Sequence, residues 1–256
     1  MKIAVVVRQV PDLIEPLEVA ASGDALDLGS ASFILNESDD HALEQALLLK
    51  ESGGGEVTVV ALDHGEIDNT LYTAAAKGAD RIVKIPLGDQ APGPRAAAAL
   101  YAEVIKPLAA DLVLLGVQAH DELDGVLPPF LAAALGLPYV GVIRGVKAGA
   151  EPGTVVALKE FPGAVMARMQ VRLPAVLGIL GAEQPPRYVP VSRIRAAMKA
   201  TQFEEREVAA PAEERLVSVR KLCPPVSASH AEMLSGSEAE VAARIASILV
   251  EKGLVK

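Results

Sequence analysis

The chain has 256 residues, 51% of them hydrophobic, only 3% aromatic and none of them tryptophan, with a formal net charge of −9. That is apolar mass enough for one large domain, with Ala, Val and Leu filling the core in place of rings. The acidic balance excludes backbone-directed nucleic-acid binding, which needs clustered Lys and Arg. The single cysteine, Cys223, excludes an intrachain disulfide and a Cys-based metal site.

Residues 2–7 form a short β-branched run that predicts a buried strand, followed at once by Arg8. The apolar start is too short for a signal peptide. No apolar run reaches the roughly 18 residues that span a bilayer, so the expectation is a cytoplasmic protein without membrane insertion. Residues 11–29 are irregular, with Pro11, Pro16 and Gly23 as breakers and room for a small hairpin with arms at 17–19 and 25–27. Ser38 and Asp39 are candidate caps for a helix whose apolar positions Ala42, Leu43, Ala46, Leu47 and Leu49 keep helical spacing. Gly53-Gly54-Gly55 ends that helix, and a second buried strand follows at 57–62. A helix at 67–77, a strand at 81–85, an Ala-rich helix at 95–108, a strand at 111–115, a helix at 124–135 and a strand at 138–146 complete an alternating series. Such alternation predicts an α/β fold with a doubly wound, mostly parallel sheet.

The pattern then changes. Strands at 154–159, 164–172 and 175–179 come without intervening helices and read as an antiparallel extension on the sheet edge. Residues 184–190 form a Pro-rich corner, 191–199 a short basic helix, and 204–214 a charged extended stretch. A terminal amphipathic helix at 237–252 carries Val241, Ile245, Ile248 and Leu249, with Ser237 and Glu240 spaced as a capping box. We expect a nucleotide-binding domain over 1–188. Residues 189–256 should form an arm, because their apolar content is too sparse to bury itself.

In a doubly wound sheet, ligands bind beyond the carboxyl ends of the strands, near the switch point. That rule selects Val6 and Val7 at the end of the first strand, Asn36 before the first helix, and Ala61, Leu62 and Asp63 at the end of the second. It also selects the stretch after the fourth strand, with Gln118, Ala119, Asp121, Asp124, Gly125, Val126 and Leu127. There a buried strand delivers a polar loop to a helix start, whose unpaired amides suit a phosphate. An acidic N-cap cluster with Asp124 as the cap accounts for the same residues, and Asp121, Glu122 and Asp124 repel a phosphate unless they point away. A Gly-rich phosphate loop is missing; Gly53-Gly54-Gly55 lies at the wrong end of the sheet. The histidines His41, His64, His120 and His230 have no metal-ligand spacing, and no catalytic group is expected.

Several segments together resemble the beta subunits of electron transfer flavoproteins along nearly the whole chain. They are the opening Lys2-Ile-Ala-Val-Val-Val-Arg-Gln-Val-Pro-Asp12, the Phe33-Ile-Leu-Asn36 turn with Ala42-Leu43-Glu44-Gln45-Ala46-Leu47, and Ala74-Ala75-Ala76-Lys77-Gly78-Ala79-Asp80-Arg81. Gly116-Val117-Gln118-Ala119 with Asp121, then Leu173-Pro174-Ala175-Val176, and Pro185-Pro186-Arg187-Tyr188 after Glu183 continue the order. The resemblance implies a subunit without a catalytic centre of its own, paired with an alpha subunit that holds most of a shared FAD. It implies AMP, or a second FAD in an electron-bifurcating form, in the beta-subunit site. It implies a docking element at Tyr188, Val191, Arg193, Ile194 and Arg195, with Val191 as the apolar anchor. The electron donors would be acyl-CoA-type or other flavin dehydrogenases, and the acceptor a quinone oxidoreductase or similar protein. Gly125, Val126, Leu127 and Pro128 stand where the family often has side-chain donors, so a subunit that has lost its nucleotide is a further reading. A nucleotide-sensing module like the universal stress proteins is the alternative from another class.

Overall fold

The computed structural model describes residues 1–14, 16–29, 31–63, 65, 67–87, 91–122, 124–209, 218–224 and 231–255. In chain order the strands are β1 (Lys2–Val6), β2 (Gln9–Pro11), β3 (Glu18–Val19), β4 (Leu26–Asp27) and β5 (Phe33–Leu35). Helix α1 (Glu37–Gly53), β6 (Glu56–Asp63), α2 (Asp68–Lys77), β7 (Arg81–Pro86), α3 (Pro94–Leu108), β8 (Leu112–Gly116) and α4 (Leu127–Leu135) follow. The chain continues through β9 (Tyr139–Ala148), β10 (Thr154–Phe161), β11 (Val165–Arg172), β12 (Ala175–Ile179), α5 (Val191–Ala200), β13 (Glu204–Glu205) and α6 (Glu238–Glu251). His64, His230 and residues 210–214 of the expected extended stretch lie outside the described residues.

One nine-stranded sheet organises the chain, in the order β11-β10-β9-β12-β8-β1-β6-β7-β13. Strands from β9 to β13 run parallel, while β10 pairs antiparallel with both β9 and β11. The central strands are apolar on both faces because helices cover both. Ile3, Val5 and Val7 point into the layer of α1 and α2, with Leu43, Leu47 and Leu71. Ala4 and Val6 point into the layer of α3 and α4, with Leu100, Tyr101 and Leu131. Period-2 alternation between two buried faces explains the unbroken apolar runs.

Residues 175–179 depart from expectation. They do not continue the antiparallel edge but return to the interior as β12, parallel between β9 and β8. All five residues are buried, as a strand covered on both faces requires. The helix expected from residue 124 begins at Leu127, and its cap position is Val126. Asp124 does not cap it; Pro128 and Pro129, preset for the first helical turn, fix the start further along. The capping box at the last helix is present, with the Ser237 N–H and Oγ both donating to Glu240 at 2.8 Å. Val142 adopts φ 63° where β9 slips register against β12, an unfavourable conformation for a β-branched residue.

Candidate functional site

The chain steps from β1 to β6 on one side and later to β8 on the other, so the crossover direction reverses between β1 and β8. The polar loops beyond these strand ends meet at that switch point. Its centre is Arg8, which follows β1 with a side chain only 11% exposed. The Arg8 N–H and Nε donate to Asp39 Oδ2 at 3.0 and 2.8 Å. Its Nη2 donates to Asp39 Oδ1 at 2.9 Å and to the Gly116 carbonyl at 3.2 Å. Glu122 lies 3.0 Å from Nη1, close enough to pair electrostatically but not aligned as a hydrogen bond. Burial alone would pull the Arg8 pKa down; Asp39 and Glu122 more than reverse this, so the guanidinium stays charged.

Asp39 comes from the first turn of α1 and is fully buried. It also accepts the Gly116 N–H at 2.7 Å. Gly116 has to be glycine: a Cβ there would stand 2.6 Å from Ser38 Cβ and 2.7 Å from Asp39 Oδ1. One guanidinium and one carboxylate thus lock β1, α1 and β8 together. The cap position of α1 is Asn36 rather than Ser38 or Asp39. Asn36 donates through its N–H to the Arg8 carbonyl at 2.9 Å and through Nδ2 to the Gln118 carbonyl at 3.1 Å. His120 Nε2 lies 2.8 Å from the Pro11 carbonyl and fastens the same loop to β2. From the other layer, the fully buried Tyr101 accepts the Leu62 N–H at 3.4 Å, and burial raises its phenol pKa.

The structure therefore brings Val6, Val7, Asn36, Ala61, Leu62, Gln118 and Ala119 to one end of the sheet. Val6, Val7, Ala61 and Leu62 bury their side chains, so only their backbone is available at this end of the sheet. Asp63 is engaged by Lys84 at 3.3 Å and by the Gly65 N–H at 3.1 Å. Gln118 Nε2 donates to the Glu122 carbonyl at 3.0 Å, while Asp121 and Asp124 are exposed. The Arg8–Asp39–Glu122 group and Tyr101 escaped the sequence reading. The signal for the first was a charged residue ending an apolar strand, opposite an acid in the next helix's first turn.

The donor set at α4 limits what the site can hold. The amides of Gly125, Val126 and Leu127 find no partner among the described residues, and Gly125 turns through φ 58°. Prolines at 128 and 129 remove the next two donors. A row this short suits a phosphate group, and the Arg8 guanidinium nearby is already committed to Asp39 and Gly116. A cavity of about 230 Å³ lined by Ala99, Ala102, Glu103, Lys106, Ala134, Val208 and Ala209 lies on the α3–α4 side, away from these amides.

The docking candidates lie elsewhere. None of the residues of α5 is buried. Tyr188 is 86% and Val191 59% exposed. Arg193 and Arg195 face water, and Ile194 is half-buried. Upstream, Arg187 mounts this element on α1. It donates to the Glu44 carboxylate through Nε at 2.9 Å, Nη2 at 2.8 Å and its N–H at 3.0 Å, and reaches Glu51 through Nη1 at 2.6 Å. Burial would raise the Glu44 carboxyl, but the Arg187 hydrogen bonds hold it below its ordinary value.

Fold and site together define a doubly wound α/β protein with polar loops gathered at its switch point and an exposed basic helix after the sheet. The family model of the electron transfer flavoprotein domain matches residues 28–213. An electron transfer flavoprotein subunit beta of Methylophilus methylotrophus is 32% identical over 263 residues, covering 98% of this chain and 98% of that protein. The Syntrophomonas wolfei counterpart is 33% identical over 230 residues, covering 90% and 88%. That of Bacillus subtilis is 29% identical over 258 residues, covering 97% of each. The chain belongs to the family of electron transfer flavoprotein beta subunits. No helix among the described residues is long and apolar enough to cross a membrane.

Proposed function

We propose that this chain is one half of a heterodimer whose alpha subunit holds most of a shared FAD. The pair carries electrons from acyl-CoA-type or other flavin dehydrogenases to a quinone oxidoreductase or similar acceptor in the cytoplasm. The beta chain supplies no reaction centre of its own. It shields and orients the flavin, whose ring accepts and releases the electrons. The observation that carries this reading is likeness to beta subunits over 98% of the chain.

The backbone at Val6, Val7, Ala61 and Leu62, with Asn36, Asp63, Gln118, Ala119, Asp121 and Asp124 around it, would frame an adenine nucleotide. The amides of Gly125, Val126 and Leu127 would take its phosphate. The short donor row favours AMP over a second FAD, because a pyrophosphate would find Pro128 and Pro129 where it needs N–H groups. Residues 1–188 form the nucleotide-binding body, and 189–256 carry the docking element and an arm toward the alpha subunit. On α5, Val191 and Tyr188 supply apolar anchors, with Ile194 at their base, while Arg193 and Arg195 steer an acidic partner surface.

The test is to co-express the chain with its alpha subunit, denature the purified pair and count released nucleotides. One FAD and one AMP per pair is the expected result. Two FAD would replace the simple carrier with a bifurcating one, and FAD alone would show that the beta site has lost its nucleotide.

A further inference from the structure

We infer that Phe203 is a positioning residue for docking: it pins the downstream end of α5 so that the helix meets a partner already held in place. The inference rests on the docking reading of α5 and adds a residue that touches no partner.

A ten-residue helix with no buried residue has little to hold it. Isolated helices of that length are marginal in water. Helix α5 lies along α2, and only Ile194 and Ala197 are even half-buried. Its order therefore depends on its two ends. The upstream end is fixed by the Arg187 fork on Glu44 and by the buried Val189.

The downstream end is fixed by an independent set of contacts. The Phe203 ring packs on Tyr72 of α2, with centroids 4.6 Å apart at 36°. Lys84 Nζ stands 5.8 Å from the centre of the same ring. Immediately after it, Glu204 and Glu205 pair in parallel with Val83 and Lys84 and so join the main sheet. Glu204 meets Arg81 at 2.7 Å, Glu205 meets Lys84 at 3.4 Å, and the Arg206 N–H donates to the Lys84 carbonyl at 2.9 Å. Lys84 is itself tied to Asp63 at 3.3 Å and Asp68 at 3.1 Å. The aromatic contact is the apolar part of this stitching; around it, Lys84 is largely buried while its partners Asp68 and Glu205 are exposed, and the Arg81–Glu204 pair at the edge is partly exposed and individually weak.

Between the two mounts, Tyr188, Val191 and Met198 stand 86%, 59% and 46% exposed. A helix held at both ends has already lost the freedom that docking would otherwise remove. Releasing one end restores that freedom and weakens association without altering any contact surface.

The experiment uses the heterodimer with Phe203→Ala and Phe203→Leu. Amide exchange is followed across 191–200. In parallel, flavin reduction is measured with an acyl-CoA-oxidising dehydrogenase that reduces the unmodified pair. Phe203→Ala should speed exchange in 191–200 by about tenfold and leave α1 unchanged. It should raise KM for the heterodimer roughly fivefold, with kcat and flavin content preserved. Phe203→Leu should restore most of both. Unchanged exchange in 191–200, or loosened helix amides with an unaltered KM, would overturn the inference. Should Phe203→Ala not accumulate, Tyr72→Ala, which removes the ring contact from the α2 side, takes its place with the same expectations. If no dehydrogenase reduces even the unmodified pair, the docking reading fails, and the exchange result alone decides the pin.

Discussion

Substituting Asp39 by Asn removes the charge that pairs Arg8 inside the switch point while keeping the side-chain shape. Asp39 has no exposed surface, and Arg8 is 11% exposed. The variant therefore leaves a buried guanidinium facing an amide, with only the misaligned Glu122 for compensation. It also weakens the acceptor for the Gly116 N–H. Removing one partner of a buried ion pair costs about 3–5 kcal/mol. With a urea m-value of about 3 kcal/mol/M, the unfolding midpoint should fall by about 1–1.7 M. Circular dichroism of the purified chain in a urea series measures this directly. Because much of the loss is the stranded charge, the double variant Arg8→Met, Asp39→Leu should recover most of it. A midpoint drop below about 0.5 M for Asp39→Asn, or a double variant no better than the single one, would show that no stranded buried charge is at work at Arg8.

Two further outcomes follow from local geometry. Glu44 titrates below its ordinary 4.5 in the folded chain, so its contribution to stability is full above that pH and is lost as pH falls through the lower folded value. The gap in urea midpoint between the unmodified chain and Glu44→Gln should be wide at neutral pH and close below about pH 4.5; a pH-independent gap would contradict the Arg187 mount. At Val142, φ 63° strains a β-branched residue, and Asn tolerates that region. Val142→Asn should therefore stabilise by about 1 kcal/mol, seen as a rise in Tm of about 2–4 °C, whereas a fall would mean that packing outweighs strain there.

The parallel body was legible because its strands are buried on both faces. A run such as Val57-Thr-Val-Val-Ala-Leu62 between a helix and a turn admits few readings. Strand β12 was legible as a strand but not in its place. Position in a sheet depends on which neighbours exist, and nothing local in 175–179 says that β8 and β9 leave a gap between them. The start of α4 misled because Asp124 has the chemistry of a cap, yet the two prolines decide where helical backbone begins. The candidate ligand residues converge as backbone, which pattern reading can locate from strand ends alone. Side-chain pairing across the switch point stayed hidden: Arg8 and Asp39 are 31 residues apart, and only the finished sheet brings them together. The same holds for Phe203, whose partner Tyr72 lies on another helix.

The role as one half of a flavin-carrying pair is tested most directly by tagging this chain, producing it together with an alpha subunit, and determining mass and visible absorbance of what is captured. The expected product is a one-to-one complex that is yellow with bound flavin. A colourless chain that elutes alone, or with copies of itself, in the presence of the alpha subunit would contradict it.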